Sequence, residues 1–250
     1  MMVAAACHIH SEWSYDAKWP LRDLAAEFAR RGYRVLLVAE HDRNFSELRF
    51  QQHRTACADA SSGDLLVVPG IEYSDPGNVI HVLTWGIASF LGEGLPTGQL
   101  LAEVRANNGV AVLAHPARRK AWLSYDCSWS TYLVGIEIWN RKYDGWAPSS
   151  VAATLLRGTD LVPFASLDFH QRNQLFPLSM QLDISGPITE DTVVNCIRAR
   201  RCRATAFSQP AEKFLTGWQR FSLPPIEKMR RTAASVYRSM KRFGQDRQQC

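Results

Sequence analysis

Ala5-Ala6-Cys7-His8-Ile9-His10 closes a strand-like apolar run that begins at Val3, and the reading of this stretch decides the fold. Residues two apart on a strand face the same way, so His8 and His10 can converge on one point where the strand ends. Paired imidazoles of this kind suit zinc, manganese or iron. Outward from this point the pattern recurs. Strand-like runs are expected at 34–39, 65–71, 79–85, 110–114, 133–138, 161–167 and 203–207. Helical stretches lie between them: Pro20 precedes Leu21, Leu24, Ala25 and Phe28 at helical spacing, and Gly32 stops the run. Segments 97–108 and 189–201 each open on a threonine suited to an N-cap. Strands alternating with helices predict an α/β fold with a largely parallel sheet.

Most of the other histidines fall at the ends of these runs. His41 follows the second in Glu40-His41-Asp42, His81 lies in Val79-Ile80-His81-Val82-Leu83, and His115 ends a run in Ala114-His115-Pro116. Asp168-Phe169-His170 repeats the one-face spacing, Glu72 follows Pro69-Gly70-Ile71, and Asp16 lies on the loop after the first run. Functional groups of parallel sheets gather at the carboxyl ends of strands. A single histidine is more often a packing or surface residue than a ligand. Six of the seven, with acids among them, predict a metal site instead. His53, in Gln51-Gln52-His53-Arg54, keeps the ordinary reading.

With 250 residues, 46% hydrophobic and 21% charged, the chain suits one catalytic domain. The apolar start is too short for a signal segment and has no basic residues before it, and no run reaches the roughly 20 apolar residues of a membrane span. A cytoplasmic protein without membrane attachment is expected. The six cysteines form no Cys-x-x-Cys pair, which fits reduced thiols better than a zinc ribbon or redox motif. A net charge of +5 and a pI near 9.0 suit an anionic ligand, with much of the excess after Trp218. The alternation fades after Ser208. Residues 1–208 therefore read as the catalytic unit and 209–250 as a basic, partly helical C-terminal arm, with Leu223-Pro224-Pro225 ahead of Met229, Ala233, Tyr237 and Met240 at helical spacing. A solvated helix, an anion-binding helix and a subunit contact that would make an oligomer are all open for it.

The order His-x-His, Asp, Glu-His-Asp, Pro-Gly-x-Glu, His, Ala-His-Pro, Asp-x-His resembles the polymerase and histidinol phosphatase (PHP) domain family, from Cys7 to about Ser208. The resemblance implies a distorted (β/α)7 barrel and two to three divalent ions of manganese, iron or zinc. It implies one ion on His8, His10, Glu72 and Asp168, a second on Glu72, His81 and His115, and a third on Asp16, His41 and His170. Three departures concern the surroundings of the ligands. Ala6 stands where an Asp is common, Ala39-Glu40-His41-Asp42 replaces Thr-Asp-His-Asp, and Ser166-Leu167-Asp168-Phe169-His170 carries one extra residue.

The expected activity is hydrolysis of a phosphate monoester of a small metabolite by metal-activated water, with Glu72, Asp168, His170 and Arg118 in the catalytic set. Arg43, Arg118, Arg119, Arg141 and Arg172 neighbour the motifs and are the candidates for phosphate contact, because a guanidinium can hold phosphate through two hydrogen bonds. Asp42 is expected to orient His41 or move protons, and Glu137 to stand behind the site or serve the barrel. Trp13, Trp19, Trp122, Trp139 and Trp146 fall near the expected mouth. The second choice is a phosphodiesterase or nucleic-acid end-processing enzyme. A catalytically silent metal-binding regulatory module is third, and an amidohydrolase is fourth because no strand-end lysine is apparent.

Overall fold

In the computed structural model, which describes residues 1–246 and, among side chains, all but those of Pro224 and residues 235–250, the α/β alternation is present. The elements run β1 (Met2–Ile9), α1 (Leu21–Arg30), β2 (Val35–Val38), β3 (Glu40–His41), α2 (Glu47–Ala60), β4 (Leu66–Val68) and β5 (Gly70–Ser74). Then come β6 (His81–Trp85), α3 (Thr97–Ala106), β7 (Val110–Ala114), β8 (Gly135–Asn140), α4 (Ser150–Thr154), β9 (Val162–Ser166) and β10 (Leu178–Asp183). The chain continues through α5 (Glu190–Arg198), β11 (Cys202–Ala206), β12 (Gln209–Pro210), α6 (Lys213–Thr216) and α7 (Gln219–Asp246).

Two six-stranded sheets are ordered β12-β11-β10-β1-β2-β4 and β3-β5-β6-β7-β8-β9. They share staves, because β2 leads directly into β3 and β4 into β5. Past β9 the chain returns to β1: Leu167 N–H donates to the Cys7 carbonyl, Phe169 N–H to that of His8, and His10 N–H to that of Phe169, each at 3.0 Å. These bonds complete a distorted barrel of seven staves. The main core, which joins the staves to the helices packed on them, includes Ile9, Leu37, Trp85, Ile138, Phe164 and Phe169, all fully buried; Phe169 packs on Phe28 of α1, and the Trp85 indole donates to the Val38 carbonyl at 2.7 Å. A second apolar layer, with Phe50, Tyr73, Leu101 and Leu113, lies on the other face of the β5–β7 sheet.

The sheet is less parallel than the alternation suggests. β6 runs antiparallel to both β5 and β7, because the link between β5 and β6, with Asp75-Pro76-Gly77-Asn78, is too short for a crossover helix. Segment 178–183, absent from the expected strands, forms β10 antiparallel to β1 and β11. α1 begins after Pro20 and α5 is capped by Thr189 in a capping box, as the sequence suggests. In α3 the cap position belongs to Pro96 and Thr97 is already helical, so Thr97 is not the N-cap.

The chain beyond Ser208 stays on the barrel at first. β12 pairs with β11, Ala211 is fully buried, and Phe214 packs edge-on against Trp139 at 5.2 Å between ring centres. α7 runs through Pro224 and Pro225, and its Glu227 is 5% exposed where it accepts the Trp146 N–H at 3.1 Å. At Gly145, with φ of 78°, an added Cβ would run into the Glu227 carboxylate. Met229 and Ala233 face solvent, whereas Tyr237 and Met240 lie outside the described side chains.

This packing makes the first part of the arm a contributor to stability. Phe214→Ala should cost about 3 kcal/mol in urea unfolding, within the range for emptying a buried aromatic site, and truncation after Ser208 should cost more. Truncation after Ala234 is the control, expected to change stability by less than about 0.5 kcal/mol, as surface changes do.

Candidate metal centre

The sequence-expected ligands come together at one mouth of the barrel, around Glu72 at the third residue of β5. Its Oε1 lies 2.7 Å from His81 Nδ1 and 2.8 Å from His115 Nε2. Its Oε2 lies 3.0 Å from His41 Nδ1, 3.4 Å from His8 Nε2 and 3.5 Å from His10 Nε2. Asp168 Oδ1 stands 3.8 and 3.6 Å from the same nitrogens of His8 and His10. Asp16 bridges the remaining pair, with His41 Nε2 at 3.3 Å and His170 Nε2 at 3.2 Å. All nine residues thus occupy one cluster, and eight are at most 8% exposed, with Asp16 at its margin.

The local backbone that delivers them is unusual. His8 (φ 62°), His115 (φ 26°) and Asp168 (φ 47°) are all left-handed, a region disfavoured for residues with a Cβ. At His8 the β1–β2 register slips between Cys7 and Ile9. The convergence of His8 and His10 therefore comes from a bulge rather than the simple alternation of a strand. Asp168 likewise lies past the end of β9, where one residue more than the expected motif makes room for the turn.

The donor set fits cations. The Nε2 atoms of His8, His10 and His41, Nδ1 of His115 and Oε2 of Glu72 are buried and make no hydrogen bond, although buried polar atoms are nearly always paired. The opposite nitrogens are held: His8 Nδ1 is 2.9 Å from Glu137, and His10 Nδ1 is 3.0 Å from Ser14 Oγ. Such bonds fix ring orientation and tautomer for ligation. Three tight donor groups stand out, His8–Glu72–His115, His8–His10–Asp168 and His10–His41–His170.

Charge points the same way. Burial opposes ionisation of Glu72 and Asp168, yet the surrounding imidazoles, and Lys142 beside Asp168, hold both carboxyls well below the usual range. Conversely, burial would keep His41 neutral, but Glu72 and Asp16 raise it to about 10. Burial, then His170 and His41, push His10 down. The carboxylates demand positive charge at the centre of the cluster, which a divalent ion supplies without protonating its ligands.

Several other residues take roles that the sequence left open or missed. Glu137 is fully buried and holds His8 and the His115 N–H, the latter at 2.7 Å. Glu40 accepts from the Ser11 and Ser14 hydroxyls, and Ser14 accepts the His41 N–H at 3.1 Å. Asp42 does not orient His41: its carboxylate accepts the N–H groups of Ser74 at 3.2 Å and Gly94 at 3.4 Å, and burial raises it to about 6. A lysine does reach the site, contrary to expectation. Lys142 follows β8 by two residues, and its Nζ is 3.3 Å from Asp168 Oδ1 and 3.1 Å from His170 Nε2. Asn140 shapes this turn by accepting the Lys142 N–H at 3.0 Å and that of Tyr143 at 3.1 Å. The run Asn140-Arg141-Lys142 after a strand was the available signal.

The cleft over the cluster has a volume of about 390 Å³; besides ligands its wall carries the cations Arg43, Arg118 and Lys142, the acids Asp42, Asp75 and Glu93, and Tyr15, Asn78 and Tyr143 among its other residues. Arg118 donates to the Asn78 carbonyl at 2.9 Å and side-chain oxygen at 3.0 Å. Arg119 turns to the same carbonyl at 3.1 Å and Arg172 stacks 4.7 Å over Trp19, so neither lines the cleft. None of the five tryptophans lines it, and Trp139 is fully buried in the core. Arg141 faces a neighbouring pocket. His53 is a packed residue of α2, 3.4 Å from Cys57 Sγ.

The site and barrel together define an α/β protein with a His/carboxylate cluster at the strand ends. No family model and no curated protein matches the sequence. Among solved structures, the chain is similar to a two-domain protein from Bacteroides vulgatus containing a predicted PHP-like metal-dependent phosphoesterase. The TM-score is 0.63 at 15% identity, over 82% of this chain and 65% of that one. It is similar to PsfC from Pseudomonas syringae, with TM-score 0.57 and 15% identity over 89% of this chain and 99% of that one. It is also similar to the lesion-specific endonuclease PfuEndoQ from Pyrococcus furiosus, with TM-score 0.56 and 13% identity over 80% and 56%. The chain thus spans under two thirds of the Bacteroides and Pyrococcus chains. At these identities the likeness is one of fold, and the PHP resemblance read from the motifs holds at that level. Among the described residues no helix is long and apolar enough to cross a membrane.

His53 offers a test outside the cluster. Burial, with Arg49 and Arg54 adding to it, lowers its pKa to about 3, so the unfolded chain takes up a proton below about 6.5 that the folded protein refuses. Its neutral form is compatible with the fold above that value, and stability falls as pH drops from about 6.5 toward 3. Urea unfolding at pH 7.5 and pH 5 should show a loss of about 2 kcal/mol from this residue, absent in His53→Phe. An equal loss in the variant would remove His53 from the acid response.

Proposed function

We propose that the protein is a metal-dependent phosphoesterase that hydrolyses a phosphate monoester of a small metabolite. The observation that carries this reading is Glu72, one buried carboxylate with five imidazoles within 3.5 Å, divided between its two oxygens. A carboxylate shared in this way suits neighbouring cations. His8, His10, Glu72 and Asp168 would hold one, His81 and His115 a second with Glu72, and Asp16, His41 and His170 a third. When bound, two to three divalent ions of manganese, iron or zinc supply Lewis-acid charge that activates water and offsets the charge on phosphate oxygens.

The chain's own groups supply the rest. Lys142, whose charge burial opposes but Asp168, Tyr143, Glu72 and Asp16 together favour, so that its pKa is raised, stands ready to donate to a phosphate oxygen. Arg118 and Arg43 put positive charge on the cleft wall, Arg118 braced by Asn78 and stacked 5.8 Å over Tyr143. Tyr15 and Tyr143 line the cleft beside them. Ser11 and Ser14, the hydroxyls beside His10, are committed to Glu40, which favours water over a protein hydroxyl as nucleophile. The cleft's volume lies in the range of small-molecule sites.

The test is metal analysis of protein purified without chelator and again after reconstitution, followed by phosphate release from a panel of sugar and nucleotide monophosphates. Roughly two to three ions per chain are expected, with activity lost on chelation and restored by metal. His115→Ala and Asp168→Ala should lower both metal content and activity. Lys142→Ala should keep its metal and lose roughly 10- to 100-fold in kcat/KM, the worth of one charged hydrogen bond. Failure to bind any ion would overturn the metal reading, and a loaded protein inert toward every ester would overturn the phosphoesterase. Activity confined to polymers, with steep salt dependence, would select the nucleic-acid alternative.

A further inference from the structure

A second pocket adjoins the metal cleft across Lys142. Asp16, Lys142 and His170 form its inner end, and Arg141, Gln171, Asn173, Gln174 and Arg230 line the rest. Asp16 and Lys142 belong to both spaces, so a molecule seated over the cluster can pass over Lys142 into this pocket without leaving the protein surface. The one carboxylate in it, Asp16, is engaged by His41 and His170. The far end is cationic.

Arg141 is placed to receive an anion. It is half-buried, its guanidinium lies 5.1 Å over the Phe176 ring, and its Nε is buried without a hydrogen-bond partner. Among the described residues it forms no ion pair, unlike Arg230, which grips Glu227 with two bonds of 2.7 Å. Burial and then the charge of Arg230 make Arg141 harder to keep charged than a free arginine. Two guanidiniums that line one pocket and repel each other are relieved of that repulsion when an anion sits between them, and stacking on a ring presets each of them for it. Arg230 belongs to α7 and is held in place by Glu227, itself locked against Gly145 and Trp146. The C-terminal arm thus supplies one wall of the pocket.

We propose that this pocket holds a second anionic group of the substrate, a phosphate or carboxylate several bonds removed from the ester hydrolysed over the metal cluster. The proposal rests on the phosphoesterase reading and narrows its substrate to small bis-anionic organophosphates. Arg141 and Arg230 bind this remote group, while Lys142, at the junction of the two spaces, keeps its place beside the ester phosphate. The remote group takes no part in bond breaking, so its contribution appears in KM.

The test compares alkyl monophosphates with α,ω-alkanediyl bisphosphates of increasing chain length on the metal-loaded full chain. At the length that spans Lys142, the bisphosphate should have a KM at least about tenfold lower than its matching monophosphate, the worth of one charge-assisted hydrogen bond, with kcat changed by less than about twofold. Arg141→Gln and Arg230→Gln should each shrink that advantage, with unfolding melts confirming that both variants fold. Competition by alkane bisphosphonates against monophosphonates on the native protein, read by calorimetry, makes the same comparison without substitution or turnover. Equal KM for mono- and bisphosphates at every length, or an advantage that survives both substitutions, would overturn the proposal. If neither ester class is hydrolysed, the phosphoesterase reading fails. The calorimetry then still decides on the pocket, since equal binding of both phosphonates refutes it and tighter bisphosphonate binding sustains it.

Discussion

The Glu72 carboxylate and its ring of imidazoles are the constraint around which the rest of this molecule is arranged. A fully desolvated carboxylate is tolerated only with strong compensation. Here the compensation comes from five different places in the chain: the bulge of β1, the residue after it, β3, the start of β6 and the residue after β7. Those places meet only if the staves are staggered so that their ends open on a single mouth. The core around Trp85, the packing of Phe169 on α1 and the return of the chain from Phe169 to β1 set that stagger. Core and site are therefore coupled, and a shift of one stave would separate imidazoles that now share one carboxylate.

Much of this was legible because strand-end histidines leave a mark in sequence: an apolar run, then His, then a loop. His41 and His115 were readable that way, Glu72 and His81 through their place in or beside an apolar run, and Asp168 and His170 through their spacing. What was not legible depends on contacts between distant residues. The reversal of β6 follows from the shortness of one link, which a periodicity argument passes over. β10 alternates buried and half-exposed residues in Leu178–Asp183 and earns its place by pairing with β1, more than 170 positions away in the chain. Lys142 was hidden by its neighbour: in Asn140-Arg141-Lys142 the arginine drew attention, yet Asn140 turns the loop so that the lysine enters the cluster and the arginine faces the next pocket.

The arm shows how charge counts mislead in sequence and inform in structure. A basic stretch after an acid-poor segment reads as solvated, and Met229 indeed stands in water. The decisive residue is the acid within it. Glu227 ties Arg230, Arg231 and the Trp146 amide together, and Gly145 is the residue whose lack of a side chain lets it approach. One carboxylate there ties α7 to the loop at 145–146, a smaller version of what Glu72 does at the mouth.

The left-handed backbone of His8, His115 and Asp168 sets two demands on the same positions. The main chain there favours glycine or asparagine, while the chemistry requires imidazole or carboxylate, and each mismatch costs about 1–3 kcal/mol. Drift toward glycine or asparagine at these three sites would relax the fold while emptying the cluster. A descendant that lost its chemistry could in this way become the sturdier protein, so the ligands persist only under selection for what they do.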